Sequence, residues 1–195
     1  LVNGARTALG VVAATACAGI IVGVVVKTGL GLSLANSLVK LAGGSIMLTL
    51  FLVMIASLVL GMGAPTTANY VITSTIAAPA IITLLSPNTP MELVPLVTVM
   101  SAHFFVFYFG IIADITPPVA LAAFAASGIS GGDPILTGVN SAKLAIAAFI
   151  IPYMIVLQPA LLMVDVTIPQ IIWVTFSAII GMVGIGAGII GYWYR

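Results

Sequence analysis

Charge is scarce in this chain. Of 195 residues only 5% are charged, five basic and four acidic, while 62% are hydrophobic. An ordinary soluble domain carries about 25% charged residues. A water-facing surface of this composition would be one continuous apolar patch, which excludes a soluble globular domain. A net charge of +1 supplies no basic stripe, so no nucleic acid is expected as a partner. A single cysteine, Cys17, excludes a disulfide scaffold. One histidine, His103, beside that one cysteine makes no zinc site, so metal catalysis lacks its ligands. Strand-type alternation is missing too, and the apolar runs are long. The fold class is therefore all-α integral membrane, with the lipid bilayer as its surroundings, and not a barrel.

Charges and prolines divide what is present. Residues 8–26, between Arg6 and Lys27, are apolar throughout. At about 1.5 Å per residue they reach roughly 28 Å, near the hydrocarbon thickness, and predict one spanning helix. A signal peptide is a poor alternative, because no polar mature domain follows. In 30–42, Leu30, Leu34, Leu38 and Leu41 fall at helical spacing with Asn36, Ser37 and Lys40 between them. This short amphipathic pattern predicts an interfacial helix, with a polar-containing loop as the alternative.

Residues 45–85 hold two apolar arms around GMGAPTTANY, 61–70. Each arm is about 22–24 Å long if helical, short for an untilted crossing. The middle carries Gly61, Gly63, Pro65, Thr66, Thr67 and Asn69 but no charge. A water-exposed loop usually carries charge. The spacing favours a re-entrant helical hairpin with its tip at membrane depth, where irregular backbone must be buried in protein or line a watery cavity. Two tilted spans joined by a tight turn are the alternative.

A second interruption lies in 94–129. An apolar run to Ile112 is followed by ADITPP and then by a second apolar piece too short to span alone. Pro117 and Pro118 lack backbone donors, and Pro118 disfavours helical geometry at Pro117. One discontinuous helix is predicted, with free carbonyls on one half and free amides on the other. A polar turn is expected at 130–138. A span at 144–164 follows, kinked by Pro152 and Pro159. Asp165 and Pro169 mark the next turn, and a last span covers 171–190 before the anchor Tyr192, Trp193, Tyr194 and Arg195. Placing Arg6, Lys143 and Arg195 on the cytoplasmic face, against Lys27 and Lys40, follows the positive-inside rule by one charge.

An uncharged hairpin together with a broken helix points to secondary transport, which places its sites at discontinuous helices near the midplane. Unwound carbonyls can ligate a bare cation without a fixed charge. Half-helix amino ends supply partial positive charge for an anion. The tip offers Thr66, Thr67 and Asn69 to a substrate, and the break offers Asp114 and Thr116.

At these two places GMGAPTTANYV and AHFFVFYFGIIADITPPVALAAFAASGISGGDPILTG resemble the large membrane subunit of TRAP (tripartite ATP-independent periplasmic) transporters. The fused type, with small and large subunits in one chain, is the nearest likeness, over about 5–165. The resemblance implies a repeat of the ion-transporter superfold and a location in the bacterial inner membrane, multi-pass. It implies sodium-coupled uptake of organic acids (carboxylates), with sodium as coupling ion and no cofactor. Implied partners are a periplasmic substrate-binding protein and a small membrane subunit or its fused equivalent upstream. Sodium positions carried over onto this sequence are Gly61, Gly63, Pro65 and Thr66 at the tip and Ala113, Asp114 and Thr116 at the break. Substrate positions are Thr66, Thr67, Asn69 and Thr116. Residues 1–165 would form the C-terminal inverted repeat and 166–195 an additional transmembrane helix. An inverted-repeat carrier needs two hairpins and two broken helices, so a C-terminal part of a longer permease is expected.

Asp114 is the strongest single candidate, because an acid inside a membrane segment is costly and usually faces a cavity or a partner. Its other reading is a cap on the second half-helix. His103 reads as hydrogen-bonded packing before proton relay, and the aromatics Phe104 to Phe109 as packing and lipid contact. The glycines at 184–191 follow no strand and read as helix packing, not as a nucleotide loop. No enzyme is expected. Gly128-Ile129-Ser130-Gly131 matches the serine pattern of intramembrane proteases, yet the only histidine, His103, precedes the serine, and Ser130 falls in a polar turn between spans. A passive channel or a non-transporting assembly subunit is the remaining alternative, although a lone Asp114 makes no ring of charge.

Overall fold

The long apolar runs become helices because lipid leaves no other partner for their backbone groups. In a computed structural model the described residues are 2, 12, 16–17, 19–21, 23–25, 27–61, 66–117 and 120–191. Every regular element among them is helical. The span expected at 8–26 and the anchor at 192–195 lie largely or wholly outside them.

Helix α1, Leu30–Leu41, precedes α2, Ile46–Gly61. The buried face of α1 is Ala35 with the partly buried Leu38 and Val39, while Leu30, Leu34 and Leu41 stay exposed. Three of the four leucines of its stripe therefore point away from the core, and Leu38 alone packs against it. On α2 the buried positions Thr49, Leu50, Val53, Ser57 and Gly61 recur every three to four residues, one face of a helix. Helices α3, Thr66–Ile76, and α4, Ala78–Leu85, follow almost without a break. More of GMGAPTTANY is helical than its composition suggested. Thr66 to Tyr70 are already helical, and only 62–65 separate the helices, outside the described residues. Threonines tolerate a first helical turn, where their hydroxyls find backbone partners.

Helix α5, Leu96–Ile112, ends in a 3-10 turn, Ala113–Ile115, and α6 begins at Leu121 and runs to Ser130. The interruption thus falls at 113–120, with Pro118 outside the described residues. Helix α5 packs against α2, α3, α4 and α8, which makes it the central strut. Its buried residues Ser101, Ala102, Phe105, Val106, Phe109 and Gly110 form two adjacent columns. Phe105 and Phe109 stack at 4.8 Å between ring centres, and Tyr153 meets them edge-on at 5.1 and 5.9 Å. In a bilayer such contacts act through close packing, since lipid tails are as apolar as the core.

Two boundaries differ from expectation. The segment 130–138 is not a polar turn throughout. Helix α7, Pro134–Leu144, starts inside it, and α8, Ile146–Leu157, continues after one turn residue. The reason is Asp133, whose carboxylate accepts from the Leu136 amide at 2.7 Å, with Pro134 at the first helical position. Asp-Pro is a helix start here. Lys143 accordingly lies inside the apolar run Pro134–Leu157 and not at its edge. Helix α9 likewise begins at Ile168, so Pro169 sits in its first turn. Gln170 Oε1 accepts from the Thr167 amide at 3.3 Å, half of a capping box.

Among the described residues four helical runs are long and apolar enough to cross a membrane: Thr66–Leu85, Leu96–Ile115, Pro134–Leu157 and Ile168–Ile189. The chain is a multi-pass, all-helical membrane protein.

Candidate functional site

The end of α2, the first turn of α3 and the end of α5 meet at one point. Helix α5 stops at Ile112, so its last four carbonyls, from Phe109 to Ile112, lack partners within the α-helix. Two of them are taken by side chains. Asn69 Nδ2 donates to the Gly110 carbonyl at 2.7 Å, and Thr116 Oγ1 donates to the Ile112 carbonyl at 2.7 Å. Asn69 is 1% exposed. Its other amide atom, Oδ1, is buried and has no partner among the described residues, and the same holds for Ser57 Oγ.

Two glycines make this approach possible. A Cβ on Gly61 would stand 2.6 Å from Asn69 Nδ2, and one on Gly110 would stand 2.8 Å from the same atom. Neither distance is tolerable, so the amide occupies space that any other residue would fill. One turn further along α3, Thr73 Oγ1 donates to the Asn69 carbonyl at 3.0 Å. Asn69 and Thr73 are thus two linked polar side chains among the buried ones, which also include Thr49, Ser57, Ser101 and Ser127.

The expected site residues separate into three groups. Gly61, Asn69 and Ala113 are buried, and Gly61 lies against both of the others. Asp114 and Thr116 are half-buried in the break, and Thr66 and Thr67 are exposed on the first turn of α3. Gly63 and Pro65 lie outside the described residues. Asn69, expected to touch substrate, gives its amide nitrogen to the Gly110 carbonyl in the last turn of α5. Among the described residues Asp114 makes no capping bond to the second half-helix. The position before α6 is Ala120, which has no side-chain cap and a left-handed backbone, φ 39° and ψ 45°. Gly110 is the residue that sequence reading missed. Only its neighbour across the interface explains why a glycine stands there.

Around this junction, Tyr70 Oη and His103 Nδ1 are 3.0 Å apart, bridging α3 and α5. With Phe104 and Phe107 they line an open cavity of about 280 Å³. His103 is thus engaged by a tyrosine. Ser130 Oγ instead accepts from the Gly132 amide at 3.3 Å. No serine–histidine pair is formed by these two.

The chain matches the family model of the tripartite ATP-independent periplasmic transporter, DctM component, over residues 1–171. It belongs to that family. No match is found among curated proteins or solved structures. The DctM family is one of transporter components and not of enzymes, which removes the protease reading of Ser130. Both the tip and the break lie within the matched residues, whereas most of α9 lies beyond them.

Proposed function

We propose that this TRAP permease chain takes part in sodium-coupled secondary uptake of organic acids across the bacterial inner membrane. It works with a periplasmic substrate-binding protein and with the small membrane subunit or its fused equivalent. The observation that supports the reading is the 2.7 Å bond from Asn69 to Gly110, which joins the first turn of α3 to the last turn of α5, next to the helix break. Transport folds place their sites where such interruptions meet. Helix α2 rises about 24 Å over its length, short of the hydrocarbon thickness, and supports a hairpin on that arm alone, since the other arm, Thr66–Leu85, is long enough to cross.

Sodium would take neutral backbone and hydroxyl oxygens from Gly61, Gly63, Pro65, Thr66, Ala113 and Thr116, and a carboxylate oxygen from Asp114. A carboxylate would bind beside it, against the hydroxyls of Thr66, Thr67 and Thr116. The free amides that open α3 add partial positive charge. Asn69 would hold this set from behind. Ion and substrate together then let the hairpin and the broken helix move as the alternating element of the carrier.

The test is uptake by proteoliposomes that contain the full-length permease and its binding protein. An inward sodium gradient should drive accumulation of a carboxylate, and collapsing it should stop accumulation. Equal flux with and without the gradient would identify a passive channel and overturn the proposal.

A further inference from the structure

We propose that Asn69 is a positioning residue that makes the α2–α3 hairpin and the α5 break one mechanical unit before any ligand arrives. In a membrane a carbonyl without a donor is held at a cost of several kcal/mol. At Gly110 that donor comes from a side chain 41 residues away in sequence, and the bond is fully buried. The two glycines show that the contact shapes its surroundings. Gly61 on α2 and Gly110 on α5 each leave a gap that the Asn69 amide fills. Three helices therefore converge on one amide, and it is the nitrogen end that matters, because a carbonyl needs a donor.

This requirement distinguishes asparagine from its near-isosteres. Leucine fills the same space with no donor. Ionised aspartate is acceptor-only, whereas protonated aspartate carries one O–H donor. Asn69→Asp should therefore lose the clamp at high pH and regain it at low pH. The charged or titratable groups on the elements packed against α3 are few. Helices α2 and α4 carry none, α1 carries the exposed Lys40, and α5 carries Tyr108 and His103, the latter bonded to Tyr70 of α3 itself, with Asp114 in the turn after it.

The experiment is hydrogen–deuterium exchange on the detergent-solubilised full-length permease, read at the amides of 110–116 and 66–73. Wild type, Asn69→Leu and Asn69→Asp are compared at about pH 5 and about pH 9, which bracket a buried carboxyl. Asn69→Leu should raise exchange at both segments by roughly threefold to twentyfold, the range of interhelical hydrogen bonds in membranes. Asn69→Asp should match wild type at low pH and Asn69→Leu at high pH. If Asn69→Leu does not fold, the pH contrast within Asn69→Asp carries the test alone. Unchanged exchange in Asn69→Leu, or no difference between the two pH values in Asn69→Asp relative to wild type, overturns the proposal. A second arm, which alone rests on the transport reading, measures the sodium concentration for half-maximal uptake. It should rise in Asn69→Leu. Altered exchange with unchanged sodium dependence would keep the clamp and count against the transport assignment of this junction.

Discussion

A Cβ on Gly61 would lie 2.8 Å from the Cβ of Ala113, closer than two such atoms can stand. The last residue of α2 and the first residue of the break are thus in direct apposition. Replacing a helical glycine by alanine usually gains up to about 1 kcal/mol. Here the sign inverts. Gly61→Ala should destabilise by about 1–3 kcal/mol, the usual cost of overpacking. Gly181 on α9, with nothing within 4 Å, is the control, and Gly181→Ala should leave stability unchanged or slightly raised. Thermal unfolding of the detergent-solubilised protein distinguishes the two. A neutral Gly61→Ala would mean that the tip and the break do not touch.

Tyr70 and His103 form the second bridge between α3 and α5. Interhelical hydrogen bonds in membranes average about 0.6 kcal/mol and rarely exceed about 2. Tyr70→Phe should therefore lower stability slightly and leave uptake intact, as should His103→Gln. Uptake driven by a proton gradient and abolished in His103→Gln would instead make this histidine a relay.

Ala120 carries a left-handed backbone at φ 39°, an arrangement that costs a residue with a Cβ roughly 1–2 kcal/mol. Its Cβ also packs where a Cβ on Gly138 would meet it at 3.3 Å. Removing the methyl loses about 0.8 kcal/mol of burial. The balance favours glycine, so Ala120→Gly should stabilise by up to about 1 kcal/mol. Gly138→Ala should destabilise slightly, because the added Cβ would stand 3.3 Å from both Ala120 Cβ and Pro117 Cγ, on two short and stiff side chains that must shift to admit it. Thermal unfolding of both variants reads the two signs.

How much of this was legible in the sequence depends on the range of the cause. The helix break was readable, because Pro117 and Pro118 act on their own backbone. The helical class was readable from composition alone. Local capping chemistry was readable in principle but was misjudged twice. Asp133-Pro134 starts α7 where a turn was expected, and Thr167 with Gln170 starts α9 three residues early. Thr66 to Tyr70 were assigned to the tip because they are polar, and the structure winds them into α3. The Asn69–Gly110 bond was not legible at all. Nothing within 41 residues of chain marks which carbonyl an asparagine will reach, and Gly110 looks like any glycine until its neighbour is known.

Asp114 carries the one charge available at the break, half-buried in the turn that follows α5. If it faces sodium, its negative charge contributes a charge-assisted contact, which is typically stronger than a neutral one by about a factor of two. Asp114→Asn keeps the shape and an acceptor oxygen but removes the charge. The sodium concentration for half-maximal uptake should then rise by roughly tenfold or more, from a loss of about 1.5–3 kcal/mol. Thr116→Ala removes both a candidate ligand and the donor to the Ile112 carbonyl, so it should raise that concentration and also lower stability. Thr66→Ala with Thr67→Ala, both exposed, should change uptake without changing the unfolding temperature. Sodium dependence that stays at the wild-type value in all three would remove these positions from the site and leave only the Asn69 clamp at this junction.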